Sequence, residues 1–414
     1  MPRALRYLVC IGLLLSGGCA SLAPLLSTPT PVPVSKATPT PEVSVTQTKF
    51  PETKARIVRV WLPPQFNPNT SETTAMLLKQ RLDEFEAGHP GLEIEVRIKA
   101  QEGDAGLLNS LTVTNMAAPS ALPDLVALPR SILEAAALKG LLHPIDGLST
   151  ILDDPNWYGY ARQLGHIQNA GYGIPFAGDA LVLIRRPDEE AIGDNWNDIF
   201  AGGGRLIFPV GDPQGLVGLS LYISAGGVIL DSKGLPALDE GALTRLLIWV
   251  SDGISADVIS PSLVNITTDT QALDVYLAGN ANMLITWALQ KPPNSLIFPL
   301  PGLSDSNHSI ATGWVWALAG SDPENQQLAV ELGEYLVADD FADRWTREIG
   351  YLPTRPSSME QDDAGISAIL ESAQSIPTND VLAVLGPLMQ EALTRVLNGE
   401  QPEAVARSVI EKLK

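Results

Sequence analysis

Cysteine is almost absent from this chain: the only two, Cys10 and Cys19, fall within the first nineteen of 414 residues. A body without thiols can hold neither a disulfide framework nor a cysteine-based zinc site. Histidine is also scarce. His89, His143, His166 and His308 are scattered, and none stands in a metal-binding spacing such as H-E-x-x-H. The chain has 27 basic residues against 47 acidic ones, a formal charge of -20, which argues against nucleic acid or anionic headgroups as partners. No G-x-S-x-G nucleophile elbow and no phosphate-binding P-loop occurs, so neither a serine hydrolase nor a nucleotidase has a foothold. Long apolar runs are missing too. The longest near the start, Leu8 to Leu15, is too short for a bilayer core that takes roughly 20 residues to span.

That short run instead has the layout of a secretory signal over residues 1–18. Arg3 and Arg6 precede it, and Ser16-Gly17-Gly18 leads into Cys19. Small residues before a cysteine resemble the lipobox of bacterial lipoproteins, which implies a lipid on Cys19 and an anchor at the outer face of the cell membrane. Ser16 stands where such boxes place leucine, and simple cleavage nearby is the alternative. Residues 19–54 read as a linker. Thr28-Pro29-Thr30-Pro31-Val32-Pro33 and Thr38-Pro39-Thr40-Pro41 favour extended polyproline II and cannot bury a core.

The remaining body of about 360 residues exceeds one ordinary hydrophobic core, so two lobes are expected. Ile57 to Leu62 reads as a strand, followed by a helix capped by Ser71 with Leu77, Leu78, Leu82 and Phe85 at helical spacing. Leu92 to Lys99 alternates as a half-buried strand does. A helix near Gly103 to Met116, a buried strand Asp124 to Leu128 and a helix Ser131 to Lys139 continue the alternation, which predicts a mainly parallel sheet with helices on both faces. Further on, Gly173 to Phe176 and Ala180 to Ile184 read as two strands meeting at a Gly178-Asp179 bend. Helices follow at Pro213 to Ala225, Asp239 to Ser251 and Thr268 to Ala278, and strands at Asn282 to Trp287, Ser295 to Leu300 and Trp314 to Ala319. Helices are expected for most of the chain from Pro323 onward.

Several stretches in order carry a family resemblance: Gly106-Leu107-Leu108-Asn109-Ser110-Leu111, Pro123-Asp124-Leu125-Val126-Ala127-Leu128, Lys139-Gly140-Leu141-Leu142-His143-Pro144-Ile145-Asp146, Gly173-Ile174-Pro175-Phe176, Ala278-Gly279-Asn280-Ala281-Asn282-Met283, Gly313-Trp314-Val315-Trp316-Ala317-Leu318 and Gly350-Tyr351-Leu352-Pro353-Thr354-Arg355. Together they resemble family 1 extracellular solute-binding proteins, the group of the maltose-binding protein. The resemblance implies a two-lobed α/β periplasmic-binding-protein fold, each lobe a mainly parallel sheet flanked by helices, hinged by crossover strands, with ligand in the cleft. On this sequence the N-terminal lobe would be 55–176 plus 284–322 and the C-terminal lobe 177–283 plus 323–414.

Ligands of open α/β sheets sit beyond the carboxyl ends of strands, near helix N-termini with free N–H groups. That nominates Trp61, Pro64 and Gln65 after the first strand, Arg130 and Ser131 after the Asp124 strand, Gly178 and Asp179 at the crossover, and Trp287 at the end of the returning strand. Trp314 and Trp316, two apart, share a strand face. Tyr351 and Arg355 lie in a loop that the resemblance puts near the cleft rim. Aromatic rings with directed polar groups suit sugars, although for each tryptophan a place in the core is the competing reading. Asp124 is expected to pin a local turn. Leu128, Ser131 and Ile132 stand where maltodextrin binders carry an aromatic, an acidic and a basic residue, so those contacts do not transfer.

The expectation is a non-enzymatic, monomeric lipoprotein without cofactor or metal. It would capture a small solute, with a carbohydrate favoured, and deliver it to the permease subunits of an ABC importer. A sensory ligand-binding lipoprotein and an extracellular glycoside hydrolase are the alternatives; the second would need two carboxylates about 5 to 10 Å apart.

Overall fold

In a computed structural model the described residues are 56–187, 193–304, 306–358 and 364–413. The expected signal, linker and Cys19 lie outside them. In chain order the elements are β1 (Arg56–Leu62), α1 (Thr73–Gly88), β2 (Leu92–Ile98), α2 (Leu107–Ala117), β3 (Leu125–Pro129), α3 (Arg130–Leu138), α4 (Gly159–Gly165), β4 (His166–Ile167), β5 (Ala170–Gly171), β6 (Gly173–Arg185), α5 (Trp196–Gly202), β7 (Leu206–Ile207), α6 (Leu216–Ser224), α7 (Glu240–Ser255), α8 (Asp269–Leu277), β8 (Met283–Trp287), β9 (Leu296–Pro299), β10 (Ser309–Leu318), α9 (Pro323–Tyr335), α10 (Asp339–Glu348), α11 (Ala364–Ser372), β11 (Ala373–Ser375), α12 (Asn379–Leu397) and α13 (Pro402–Glu411).

Local sequence accounts for most of these. Leu78, Leu82 and Phe85 bury one face of α1, as their spacing requires. The helix starts at Thr73 rather than after Ser71, with Glu72 in the cap position and no side chain bonded there. Among the described residues β2 pairs only with β1 and stands at the end of the sheet, so its alternating Leu92, Ile94 and Val96 are half-buried. α7 and α8 carry caps legible in the sequence: Asp239 accepts from the Ala242 N–H and Thr268 from the Gln271 N–H. Asp124, expected to pin a local turn, instead ties distant chain together, accepting from the Arg59 N–H at 2.8 Å and from Asn325 at 3.2 Å.

The molecule is two-lobed. In the first lobe β2, β1 and β3 are parallel neighbours, with α1, α2, α3, α9 and α10 packed around them. In the second, β7 and β8 are parallel, and β8 and β9 both run antiparallel to the far half of β6, among α6, α7, α8, α12 and α13. β6 and β10 cross between the lobes as antiparallel partners. Gly173 to Ala177 of β6 face the stretch of β10 that pairs with β3, and Leu181 to Arg185 pair with β8.

Two sequence expectations differ from this arrangement. The bend at Gly178-Asp179 does not divide two strands; β6 runs unbroken for 13 residues, all buried, and a register shift opposite Trp314 and Val315 absorbs the irregularity. Gly178 is needed for close approach, since a Cβ there would lie 2.0 Å from the Tyr160 hydroxyl. The packing also departs from the expected division of the chain. β8 and β9, within 284–322, pair on the second-lobe half of β6, whereas α9 and α10, within 323–414, pack on β1, β3 and α1 of the first lobe. Local periodicity gives an element its buried face but not the lobe that covers it.

Candidate functional site

The crossing strands set the floor of an interlobe cavity of about 270 Å³. Asp179 of β6 and Thr312 of β10 are register partners, so period-two geometry brings both side chains to one place. Arg130 and Ser131, at the first turn of α3, line the first-lobe wall. Trp287 at the end of β8 and Gln214 before α6 line the second-lobe wall, and Ile376, Pro377, Asn379 and Leu382 close the remaining side.

Each polar group has a defined setting. Asp179 Oδ1 accepts from the backbone N–H of Ala180 at 2.9 Å and of Leu289 at 3.1 Å. Burial pushes its pKa up to about 7; the N–H donors of Leu289, Ala180 and Ala288 oppose the rise, and nearby Asp269 adds to it. Asp269, which accepts from the Thr286 hydroxyl at 3.0 Å, is itself raised by burial, with hydrogen bonds from Thr286 and Trp287 opposing. Arg130 is 6% exposed, and burial pulls its guanidinium below its ordinary value while Glu134 opposes. Its Nη1 lies 3.3 Å from Glu134 Oε2, near enough for an ion pair but not aligned as a hydrogen bond, and among the described residues neither Nη1 nor Nε has a hydrogen-bond partner. The wall therefore carries donors with unused capacity.

Of the residues nominated from sequence, Arg130, Ser131, Asp179 and Trp287 come together in this cavity. Gln65, Trp314 and Tyr351 form an adjoining group. The Tyr351 hydroxyl has Trp314 and Gln65 as hydrogen-bonding neighbours and is raised chiefly by burial, with Asp179 close enough to contribute. Trp316, Trp61 and Arg355 lie elsewhere. Trp316, 1% exposed, stacks on Phe176 at 4.4 Å within an aromatic core that also holds Phe66 and Trp345. Trp61 is equally buried beneath Lys99, whose ammonium sits 4.5 Å over its ring. Arg355 lies 4.1 Å over Trp157 and pairs with Asp154 and Asp339, which fixes its loop rather than facing the cavity. Trp314 touches Phe66 edge-on at 5.1 Å and belongs as much to that core as to the rim.

Sequence reasoning missed Gln214, Thr312 and the Ile376 to Leu382 wall. Helices were expected for most of the chain from Pro323 onward, with no strand foreseen there; residues 373–375 form β11, which pairs parallel with β10 and carries the next turn to the cleft. The run Pro377-Thr378-Asn379-Asp380 is a helix-start signal that could have located that wall. Among the described residues no group of three or more His, Cys, Asp or Glu could hold a metal ion, and no helix is long and apolar enough to cross a membrane.

Comparison with known proteins fits this geometry. A family model described as bacterial extracellular solute-binding protein matches residues 80–369. No curated protein matches in sequence. Among solved structures, a cyclic α-maltosyl-1,6-maltose binding protein from Arthrobacter globiformis superposes with a TM-score of 0.68 at 15% identity, covering 86% of this chain and 98% of that one. A maltose-bound protein of T. maritima gives 0.63 at 19%, covering 87% and 99%. A solute-binding protein of an ABC transporter from Thermotoga lettingae, bound with α-D-tagatose, gives 0.60 at 17%, covering 86% and 98%. At such identities the likeness is one of fold.

Proposed function

The chain belongs to the bacterial extracellular solute-binding proteins, and from that membership we propose that it captures a small carbohydrate between its lobes and delivers it to an ABC importer. The single observation that carries the reading is the composition of the interlobe cavity. One half-buried tryptophan, Trp287, stands among hydrogen-bonding groups from both lobes: Arg130 and Ser131 on one side, Gln214 and Asn379 on the other, Asp179 and Thr312 on the floor. A sugar needs an aromatic face for its C–H surface and several directed donors and acceptors for its hydroxyls. A buried cation already paired with Glu134, in one cavity with an Asp179 carboxyl that burial raises to about 7, suits a neutral polyhydroxylated ligand better than a strongly charged one.

The cavity sits just below the usual range of about 300–1,000 Å³ for small-molecule sites, which favours a short sugar over an oligosaccharide. The neighbours' ligands, from tagatose to cyclic maltosyl-maltose, span both sizes. Because the lining comes from both lobes, a ligand that touches both shifts the population toward the closed form, and that form is what the permease recognises. In this reading no bond of the ligand is broken, and ATP hydrolysis belongs to partner subunits. Cys19, outside the described residues, carries the lipid, and the Pro/Thr-rich segment gives the body its reach from the membrane.

Thermal denaturation against a panel of sugars, polyols and amino acids, with native mass spectrometry of the same samples, tests the reading. A bound ligand at a hundredfold excess over its Kd raises stability by about 2.7 kcal/mol. A panel in which no small molecule moves the transition contradicts capture. With a ligand in hand, Trp287→Ala is expected to weaken binding at least tenfold; unchanged affinity would remove this cavity as the site.

A further inference from the structure

Thr378, at the cap position of α12, bonds to no N–H of the first turn; its side chain pairs instead with the Asp380 carboxylate, which takes donors from the Asp380 and Val381 N–H groups and leaves the Asn379 N–H to find another partner. The N–H groups of a helix's first turn have no partner inside the helix. Here one of them is satisfied from the other lobe: the Asn379 N–H donates to Glu134 Oε1 at 2.9 Å, and the Asn379 side-chain amide donates to the Ser131 carbonyl at 2.9 Å. α12 packs with α6, α7 and α13 in the second lobe, and its Gln390 bonds to the Gly211 carbonyl at 3.1 Å. Glu134 and Ser131 sit on α3, against β3 and β10 of the first lobe. A first-lobe carboxylate thus takes the place of a helix cap for the second lobe, where the helix dipole favours a negative charge.

The same carboxylate faces the cavity through Arg130. Glu134 is 5% exposed; Oε1 accepts from Asn379 while Oε2 lies 3.3 Å from Arg130 Nη1. Arg130, also buried, lines the cavity, and its Nε has no hydrogen-bond partner among the described residues. A buried guanidinium with unused donors gains most from an oxygen acceptor brought in by a ligand. We infer that Glu134 is a positioning residue that couples occupation of the cleft to closure of the lobes: it holds Arg130 toward a ligand oxygen and caps α12 of the opposite lobe. Opening the lobes breaks the cap and exposes the start of α12; a ligand on Arg130 stiffens the pair that makes it. The inference rests on the capture reading only for the ligand's part; the cap stands apart from it.

Residue-resolved hydrogen exchange of the full chain, alone and with maltose or D-tagatose, tests it. An amide at the first position of an uncapped helix exchanges freely, so protection at Asn379 reports the interlobe cap. Exchange at Asn379 is expected to be at least tenfold slower in the wild type than in Glu134→Ala, with the α12 core around Leu385 unchanged and Glu134→Gln intermediate. Since Glu134→Ala also strips Arg130 of its counter-charge, Asn379→Pro provides a second route. Proline is well suited to a first helical position and deletes only the donor N–H and the side-chain amide. Asn379→Ala, which keeps the N–H, separates the two. Asn379→Pro should keep its helix content but scatter as a more open particle, and Asn379→Ala should stay closer to wild type. Equal exchange at Asn379 in wild type and Glu134→Ala, or unchanged scattering in Asn379→Pro, overturns the coupling. If neither sugar nor any other solute binds, the capture reading falls, and the exchange comparison without ligand still decides the cap.

Discussion

Trp316 lies nearly parallel to Phe176 with no face toward the cavity, whereas Trp287 keeps a half-open ring beside Asp179; at the residue scale the two substitutions should therefore separate. Trp316→Ala is expected to cost about 3–5 kcal/mol of stability, measured by urea denaturation. Trp287→Ala should cost far less, and equal losses would mean that the assignment of core and cleft is mistaken. His308 offers a pH test. It is buried with Nε2 unpartnered, and burial lowers its pKa to about 4. Its folded value lies below the ordinary one near 6.5, so the unfolded chain takes the proton first as pH falls, and stability is lost between about pH 6.5 and 4, up to about 3 kcal/mol. His308→Leu should flatten that slope in denaturation midpoints collected from pH 8 to pH 4; a variant as steep as wild type would refute the cause. Asp179 works in the opposite sense. Its folded pKa is raised to about 7, so the folded state holds a proton that the unfolded state has lost, and stability falls as pH rises from about 4 through 7. Asp179→Asn can still accept from Leu289 and Ala180, and it should raise the Tm at pH 8 while changing it little at pH 4.

At the scale of elements, one contact fixes two cavity walls at once. α12 meets the 212–215 turn so closely that a Cβ on Gly386 would lie 2.3 Å from the Pro213 carbonyl oxygen. Pro387, inside the helix, removes the intrahelical donor at the next position, so the close approach falls where the helix's own hydrogen-bond ladder is interrupted. Gly386→Ala is expected to destabilise by about 1–3 kcal/mol as the turn and helix are forced apart. Because Gln214 sits on that turn and Asn379 on that helix, ligand affinity should fall as well, and calorimetry that finds stability lowered but affinity intact would uncouple the two walls. Element types were largely legible in sequence. The spacing of Leu78, Leu82 and Phe85 gave α1, the alternation from Leu92 gave β2, and Thr268 gave the start of α8. Short β11 was not legible, since three residues carry no periodicity and their pairing with β10 is made by chain more than 60 residues away.

On the scale of the whole molecule, closure is the event that the proposed capture, coupling and delivery share. Saturating ligand is expected to reduce the radius of gyration in solution scattering, and an unchanged profile would argue against hinge closure. Membrane attachment is a separate question: Cys19→Ser should move the protein from the membrane to the soluble fraction, and continued sedimentation would remove the lipid. What the sequence determined by itself follows from local chemistry. The expectation of an export segment and of a linker in the Pro/Thr-rich stretch, the lack of thiols and histidine clusters in the body, and the order of helices and strands all depend on residues near one another in the chain. Arg130, Ser131 and Trp287 were nominated for the same reason, as each ends a strand or opens a helix, where side chains reach a cleft; Asp179 was nominated from a bend that β6 does not make, and it lines the cavity from mid-strand. Which tryptophan faces solvent, which lobe receives α9 and α10, and that Glu134 caps a helix about 245 residues away were decided only by tertiary structure. A strand's period of two says which residues share a face, but what stands opposite that face is set by the crossing of β6 and β10 and by whatever chain packs there.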